Sequence, residues 1–234
     1  MVAHKVLQHS FSTPICHQSN MNQINKPILS SLSETIAQLT NEFKEITPKR
    51  KETLGELTHY VQQKLKADDQ ILLNFICTHN SRRSHLAQLW AQTAAYYYDI
   101  PGVACFSGGT EATAFNPKAV HALQDAGFSI IKTTEGTNPV YEVGFSHTVK
   151  PILAYSKKYN DHFNPNVNFA AILTCAEAAE NCPVVIGAST RIALPYDDPK
   201  DFDDTPQETA MYKESVRQIG REMFYAFSKV KESH

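Results

Sequence analysis

Apolar and polar positions change period several times along this chain, and the changes mark its elements. Residues 71–76 read Ile-Leu-Leu-Asn-Phe-Ile, an almost continuous apolar run. Such a run predicts a strand buried on both faces. From Ser84 to Tyr98 the apolar residues recur at helical spacing, with Leu86, Leu89, Trp90 and Ala94 on one face. Further strand signals fall at 103–106, 169–174 and 191–194, and helical patterns lie between most of them. Asn116-Pro117 starts a helix that ends at Gly127, and a last helical stripe runs from about Gln207 to Val230. Residues 158–168 carry Asn, Asp and Pro and read as a loop. Alternating strands and helices predict an α/β fold, a parallel sheet with helices on both faces.

Two further stripes precede the first strand. Ile36, Leu39, Phe43 and Ile46 form one, and Leu54, Leu57, Val61 and Leu65 the other. Ser31 with Glu34 fits a capping box, and Pro48 takes a favoured first-turn position. The pattern predicts a helical hairpin that covers apolar surface of the domain or of a partner. The chain then divides into a loose tail (1–30), a helical extension (31–67) and a catalytic domain (68–234).

Composition narrows the class. With 234 residues the chain can fill one core and carry an appendage. It is 42% hydrophobic and 20% charged, with a formal charge of −2, which gives no reason to expect nucleic acid or a membrane surface. No apolar run approaches a membrane span and no signal peptide is visible. Residues 1–33 lack Asp and Glu and are rich in Ser, Asn, Gln and His. They read as a disordered tail or as residues upstream of the true start. Five cysteines is an odd count, against a simple disulfide frame. A thiol that must stay reduced fits the cytoplasm.

The chemistry begins where the first strand ends. Cys77-Thr-His-Asn-Ser-Arg-Arg-Ser84 links that strand to the helix after it. Backbone N–H groups in such a loop, with a helix N-terminus behind them, suit a tetrahedral anion. The same field favours the thiolate form of Cys77. Arg83 can grip two oxyanion oxygens through its planar fork. Ser84 can hydrogen-bond the sulfur and Asn80 can pin the loop. Thr78, His79, Asn80, Ser81 and Arg82 would complete the anion-binding loop. Ligands of an open parallel sheet sit beyond the carboxyl ends of its strands. Ser107 to Thr110, Cys175 and Asp197-Asp198 fall at that same edge.

A second constellation follows the strand at 169–174. Cys175 and Cys182 lie seven positions apart, which does not suit a metal site. In a helix that spacing corresponds to about 10.5 Å of rise, too far for a disulfide unless the segment unwinds. A redox relay is the reading adopted: Cys175 attacks an adduct on Cys77, and Cys182 resolves Cys175. Asp198, before Pro199, could protonate a leaving group from the side opposite the thiolate. Asp197 reads as solvent-facing or as a cap.

These segments together resemble the low-molecular-weight protein-tyrosine phosphatase superfamily, particularly its thioredoxin-coupled arsenate reductase branch. The Cys77–Ser84 loop matches the Cys-x5-Arg-Ser loop of the family. Ser107–Pro117 looks like its second-strand segment, Cys175–Pro183 like the redox segment and Tyr196–Pro199 like the acid loop. The resemblance covers about 70–230. It implies a four-stranded parallel sheet in the order 2-1-3-4, Cys77 as nucleophile, Arg83 and the loop amides as oxyanion binders, Ser84 as thiolate stabiliser and Asp198 as general acid. It also implies a Cys175–Cys182 disulfide that thioredoxin reduces. No cofactor and no metal are expected. Three departures stand out: His79 replaces the usual loop glycine, Arg82 the usual second loop cysteine, and Gln88 a glutamate that often helps to hold potassium.

Three functions are consistent with this reading. Arsenate reduction is favoured because hydrolysis needs no second or third thiol. Phosphomonoester hydrolysis through a Cys77 phosphocysteine is the alternative, with Tyr141, Tyr155 and Tyr196 as candidate walls for a tyrosine ring. A non-catalytic phosphate-binding module is the third.

Overall fold

The apolar run becomes strand β1, Ile71–Cys77, and the helical stripe after it becomes α3, Arg83–Tyr97. The structure, a computed structural model, describes residues 26–181 and 184–232. β1 is the second strand of a four-stranded parallel sheet. Its neighbours are β2 (Val103–Gly109) on one side and β6 (Phe169–Leu173) on the other, and β7 (Ala188–Ala193) lies beyond β6. In sequence order of the four sheet strands this is 2-1-3-4, as the resemblance implied. β7 begins and ends somewhat earlier than the apolar signal at 191–194 suggests, because only Ile192 within it is buried.

The period-two alternation of β1 splits the interior in two. Ile71, Leu73 and Phe75 join the large core, with Trp90 of α3 and Phe224 and Phe227 of the closing helix α6, Glu208–Lys231. Ile76 joins a smaller cluster with Phe169, Ala171, Leu173 and Val185. Trp90 is fully buried, edge-on to Phe128 at 4.9 Å and to Phe224 at 5.9 Å. Helix α6 passes so close that a Cβ on Gly220 would stand 2.8 Å from the Trp90 ring.

The two N-terminal stripes form α1, Ser30–Asn41, and α2, Pro48–Lys66. Leu32, Ile36, Leu39, Leu54, Leu57 and Val61 are buried in the same large core as Trp90. Each such side chain contributes roughly 1.5–3 kcal/mol by leaving water. The first stripe is shorter than its apolar spacing suggests. α1 ends at Asn41, and Phe43–Glu45 forms one 3-10 turn. The expected capping box is not formed. Leu29 precedes α1 without a side-chain cap, and Ser31 Oγ donates instead to Gly127 O at 2.7 Å. Two other caps do form: Thr47 accepts from Arg50 N at the start of α2, and Asn116 accepts from Lys118 N and Ala119 N at the start of α4, Pro117–Asp125.

One element was not legible beforehand. A three-stranded antiparallel sheet of β3 (Ser129–Lys132), β4 (Tyr141–Gly144) and β5 (Ile152–Ala154) lies between α4 and β6. Helix α5, Ala176–Asn181, follows β6 directly. The tail to residue 25, with Cys16, and the pair Cys182-Pro183 lie outside the described residues. Among the described residues no helix is long and apolar enough to cross a membrane.

Candidate active site

The sheet brings its chemistry to one edge. Cys77 ends β1, Gly109 ends β2 beside it in register, and Cys175 follows the end of β6. Thr174 N and Oγ1 both donate to Ile76 O, at 2.7 and 3.0 Å, which ties the end of β6 to the end of β1. Cys77, Cys175 and Ala178 consequently pack together as a small buried cluster. Cys77 and Cys175 are 4% and 1% exposed.

The loop between β1 and α3 is held from several sides. Ser84 Oγ lies 3.1 Å from Cys77 Sγ and accepts from Asn80 Nδ2 at 2.9 Å. Asn80 takes a left-handed backbone, φ 44°, while His79 keeps negative φ. A side chain at the usual glycine position is therefore accommodated, because the left-handed turn falls one residue later. His79 stands at the rim, its Nε2 3.7 Å from Glu111 Oε2. Asn80 Oδ1 accepts from Lys157 N at 2.9 Å, and Ser156 Oγ donates to His79 O at 2.9 Å. The segment after β5 thus braces the loop from outside. Lys157 is itself buried, and burial pushes its amine down to about 8.

Gly108 and Gly109 have a steric reason. A Cβ at 109 would meet Glu111 O at 2.2 Å, Thr78 O at 2.7 Å and Asn80 N at 2.8 Å. A Cβ at 108 would meet the Tyr159 backbone at 2.3 Å. Backbone of the anion loop and of residue 159 fills the space a side chain would need. Gly109→Ala is expected to displace the loop, lowering turnover by about 10²-fold and stability by roughly 1–3 kcal/mol. Steady-state kinetics and thermal unfolding of the variant check both effects.

Arg83 and Asp198 complete the site. Arg83 Nη1 donates to Tyr196 O at 3.0 Å and Nη2 to Asp198 Oδ2 at 2.7 Å, while Nε is buried without a partner among the described residues. Arg82, in place of the usual cysteine, donates through Nε to Asp198 Oδ1 at 2.7 Å. One carboxylate therefore bridges two guanidinium groups. Burial raises the Asp198 carboxyl, but the Arg82 hydrogen bonds and the charges of Arg83 and Arg82 outweigh it and hold it below the usual carboxylate range. Asp198 also caps the 3-10 turn Pro199–Phe202 by accepting from Lys200 N, and Asp197 is exposed as expected. Cys77, His79, Ser81, Arg82, Arg83 and Asp198 line one small pocket.

Around Cys175 the structure supplies a contact that motif reading missed. Thr78 Oγ1 lies 3.6 Å from Cys175 Sγ and donates to Glu177 Oε2 at 2.8 Å. Ala178 N donates to Cys175 Sγ at 3.3 Å. A carboxylate two residues after a candidate thiol was the only available signal for Glu177. None of the candidate aromatic walls lines the Cys77 pocket: Tyr141 and Tyr196 are buried, and Tyr155 packs edge-on to Phe163. Gln88 Nε2 donates to Cys105 O at 3.0 Å, a core contact. Among the described residues no three His, Cys, Asp or Glu side chains could hold a metal ion.

No protein-family model matches the chain. An arsenate reductase of Bacillus licheniformis is 29% identical over 143 residues, covering 61% of this chain and 84% of that protein. The arsenate reductase of Bacillus subtilis is 29% identical over 153 residues, covering 65% and 91%. The sheet order and the Cys-x5-Arg-Ser loop at the end of β1 agree with the resemblance read from the sequence. Among solved structures, an arsenate reductase of Archaeoglobus fulgidus is similar with a TM-score of 0.41 and 14% identity, covering 67% of this chain and 98% of that one. The sequence relatives are arsenate reductases by name, and this protein is an enzyme.

Proposed function

We propose that this enzyme reduces arsenate to arsenite through Cys77, Cys175 and Cys182, with thioredoxin as electron donor. The observation that carries the reading is the packing of Cys175 with Cys77 in one buried cluster beside the anion loop. Phosphoester hydrolysis has no use for a second thiol there.

On this reading the steps run as follows. Arsenate enters the loop, and the Cys77 thiolate attacks arsenic while Ser84 steadies the sulfur. The As–O bond breaks, and the leaving oxygen departs as water with a proton from Asp198. Arg82 and Arg83 clamp Asp198 and hold it as a carboxylate. A bound oxyanion competes for the Arg83 donors, loosens that clamp and allows Asp198 to take up a proton. Arsenate binding would thereby arm its own acid.

Cys175 then attacks the Cys77 sulfur. The S–S bond forms, the S–As bond breaks, and its electron pair reduces arsenic, which leaves as arsenite. The carboxylate of Glu177 can only accept a hydrogen bond, so Thr78 donates to Glu177 and accepts from the Cys175 thiol. That order gives the Cys175 proton a path through Thr78 to Glu177. Cys182 next attacks Cys175 and frees Cys77. The resulting Cys175–Cys182 disulfide passes to the dithiol donor.

Hydrolysis of phosphomonoesters is the second reading, favoured by Asp198 at the pocket beside Arg83. The buried positions of Tyr141 and Tyr196 leave such a pocket without two of its candidate aromatic walls. The test is arsenate-dependent NADPH oxidation with thioredoxin and its reductase, run beside para-nitrophenyl phosphate hydrolysis. Arsenate turnover is expected. Hydrolysis without arsenate turnover would make the protein a phosphatase.

A further inference from the structure

The helical extension reaches toward the catalytic edge through the side chain of Arg50. Arg50, in the first turn of α2, donates through Nε to Glu222 Oε2 at 2.9 Å, and its Nη2 lies 2.8 Å from the same oxygen. Its guanidinium lies over the Tyr196 ring, 4.6 Å from the centroid. Glu222 on α6 is 3% exposed and Tyr196 is 5% exposed. Segments far apart in sequence thus converge on one half-buried ion pair with an aromatic face against it. A cation held over a ring and against a carboxylate in a partly desolvated place has a defined position.

Tyr196 is also part of the candidate site through its backbone. Its carbonyl accepts from Arg83 Nη1 at 3.0 Å, and its N–H donates to Thr174 O at 3.1 Å. Two residues on, Asp198 holds Arg82 and Arg83. If the Tyr196 ring moves, it carries the carbonyl that orients Arg83 and the main chain that leads to Asp198. Arg50, Tyr196, Asp197 and Arg221 also line an open cleft. A shorter side chain at position 50 therefore admits water instead of leaving a sealed void.

We propose that Arg50 is a positioning residue through which the helical extension, acting by way of Glu222 and the Tyr196 ring, holds Arg83 and Asp198 in place for the oxyanion. The extension is then a working part of the enzyme and not only a cover for apolar surface. The inference rests on the reading of the Cys77–Ser84 loop as an oxyanion site, but not on arsenate as the substrate.

The test uses the full chain and inorganic phosphate. Phosphate shields Cys77 from iodoacetamide, and mass spectrometry of the peptide that carries Cys77 gives the phosphate affinity without any turnover. Arg50→Met is expected to weaken phosphate protection by at least about tenfold, since small misplacements of binding groups carry large penalties. Arg50→Lys should recover part of the loss. Lys49→Met, at a neighbouring side chain that is 88% exposed, should match the wild type. Thermal unfolding shows which variants are folded at the assay temperature. If Arg50→Met does not fold, Tyr196→Leu takes its place and should show the same loss. A folded Arg50→Met or Tyr196→Leu protein with undiminished protection overturns the proposal. A wild-type protein that phosphate does not protect overturns the oxyanion reading, and the proposal with it.

Discussion

Replacing Cys77 with serine is expected to abolish turnover of arsenate and of aryl phosphates while leaving oxyanion binding in place. The cysteine ends β1 and is 4% exposed, so its position is set by strand pairing with Gly109 and not by its own chemistry. Serine is nearly isosteric and can keep the contact to Ser84 Oγ, now 3.1 Å from the sulfur. Arg83 and the loop amides are untouched. Only the nucleophile is lost, because an unactivated hydroxyl is a far weaker nucleophile than a thiolate. Removal of a nucleophile costs at least about 10⁴-fold in rate, equivalent to about 5 kcal/mol of barrier. Calorimetric titration with phosphate, together with kinetics at saturating substrate, checks both halves of the expectation. Turnover that persists in Cys77→Ser would remove this cysteine from the mechanism.

The second large effect belongs to Cys175. Cys175→Ser is expected to reduce arsenate turnover by at least about 10³-fold and to stall the reaction at the arsenic adduct on Cys77. Hydrolysis of para-nitrophenyl phosphate, where it occurs, should survive the substitution. The reason is positional. Cys175 packs against Cys77 but does not line the pocket of Cys77, Arg83 and Asp198 that would receive the oxyanion. It can act on an adduct without taking part in forming it. Intact-mass spectrometry of the stalled protein should find the added arsenic, and rapid-mixing kinetics should find one equivalent consumed. Undiminished arsenate turnover in Cys175→Ser would exclude the relay and would leave the buried pair of thiols as packing.

The centre of the site was legible because its signals are local. An apolar run, a cysteine at its end, an arginine six positions on and a helical stripe together describe β1, the loop and α3. Helix α4 was legible for the same reason, since Asn116-Pro117 forms the cap that the side chains predict. Legibility failed where a residue's partner lies elsewhere. Ser31 has the composition of a cap, yet its hydroxyl serves Gly127, whose close approach leaves no room for a Cβ, Ser31 O standing 2.2 Å from where one would be. The small sheet of β3, β4 and β5 escaped because its strands are only three or four residues long, and β3 is mostly exposed, which leaves little periodicity to read.

By itself the sequence determined the succession of the four parallel strands and of the main helices, the Cys77–Ser84 loop and the reactive side chains that belong near it. Those properties follow from neighbours along the chain, where hydrophobic period and backbone preference act within a few residues. The tertiary structure alone decided that Asp198 bridges Arg82 and Arg83, that Thr78 stands between Cys175 and Glu177, and that Arg50 reaches Tyr196. Arg50 and Glu222 are 172 positions apart, and no local rule pairs them. They meet because α2 and α6 bury their apolar faces in one core, which carries two charges into a place where each needs the other.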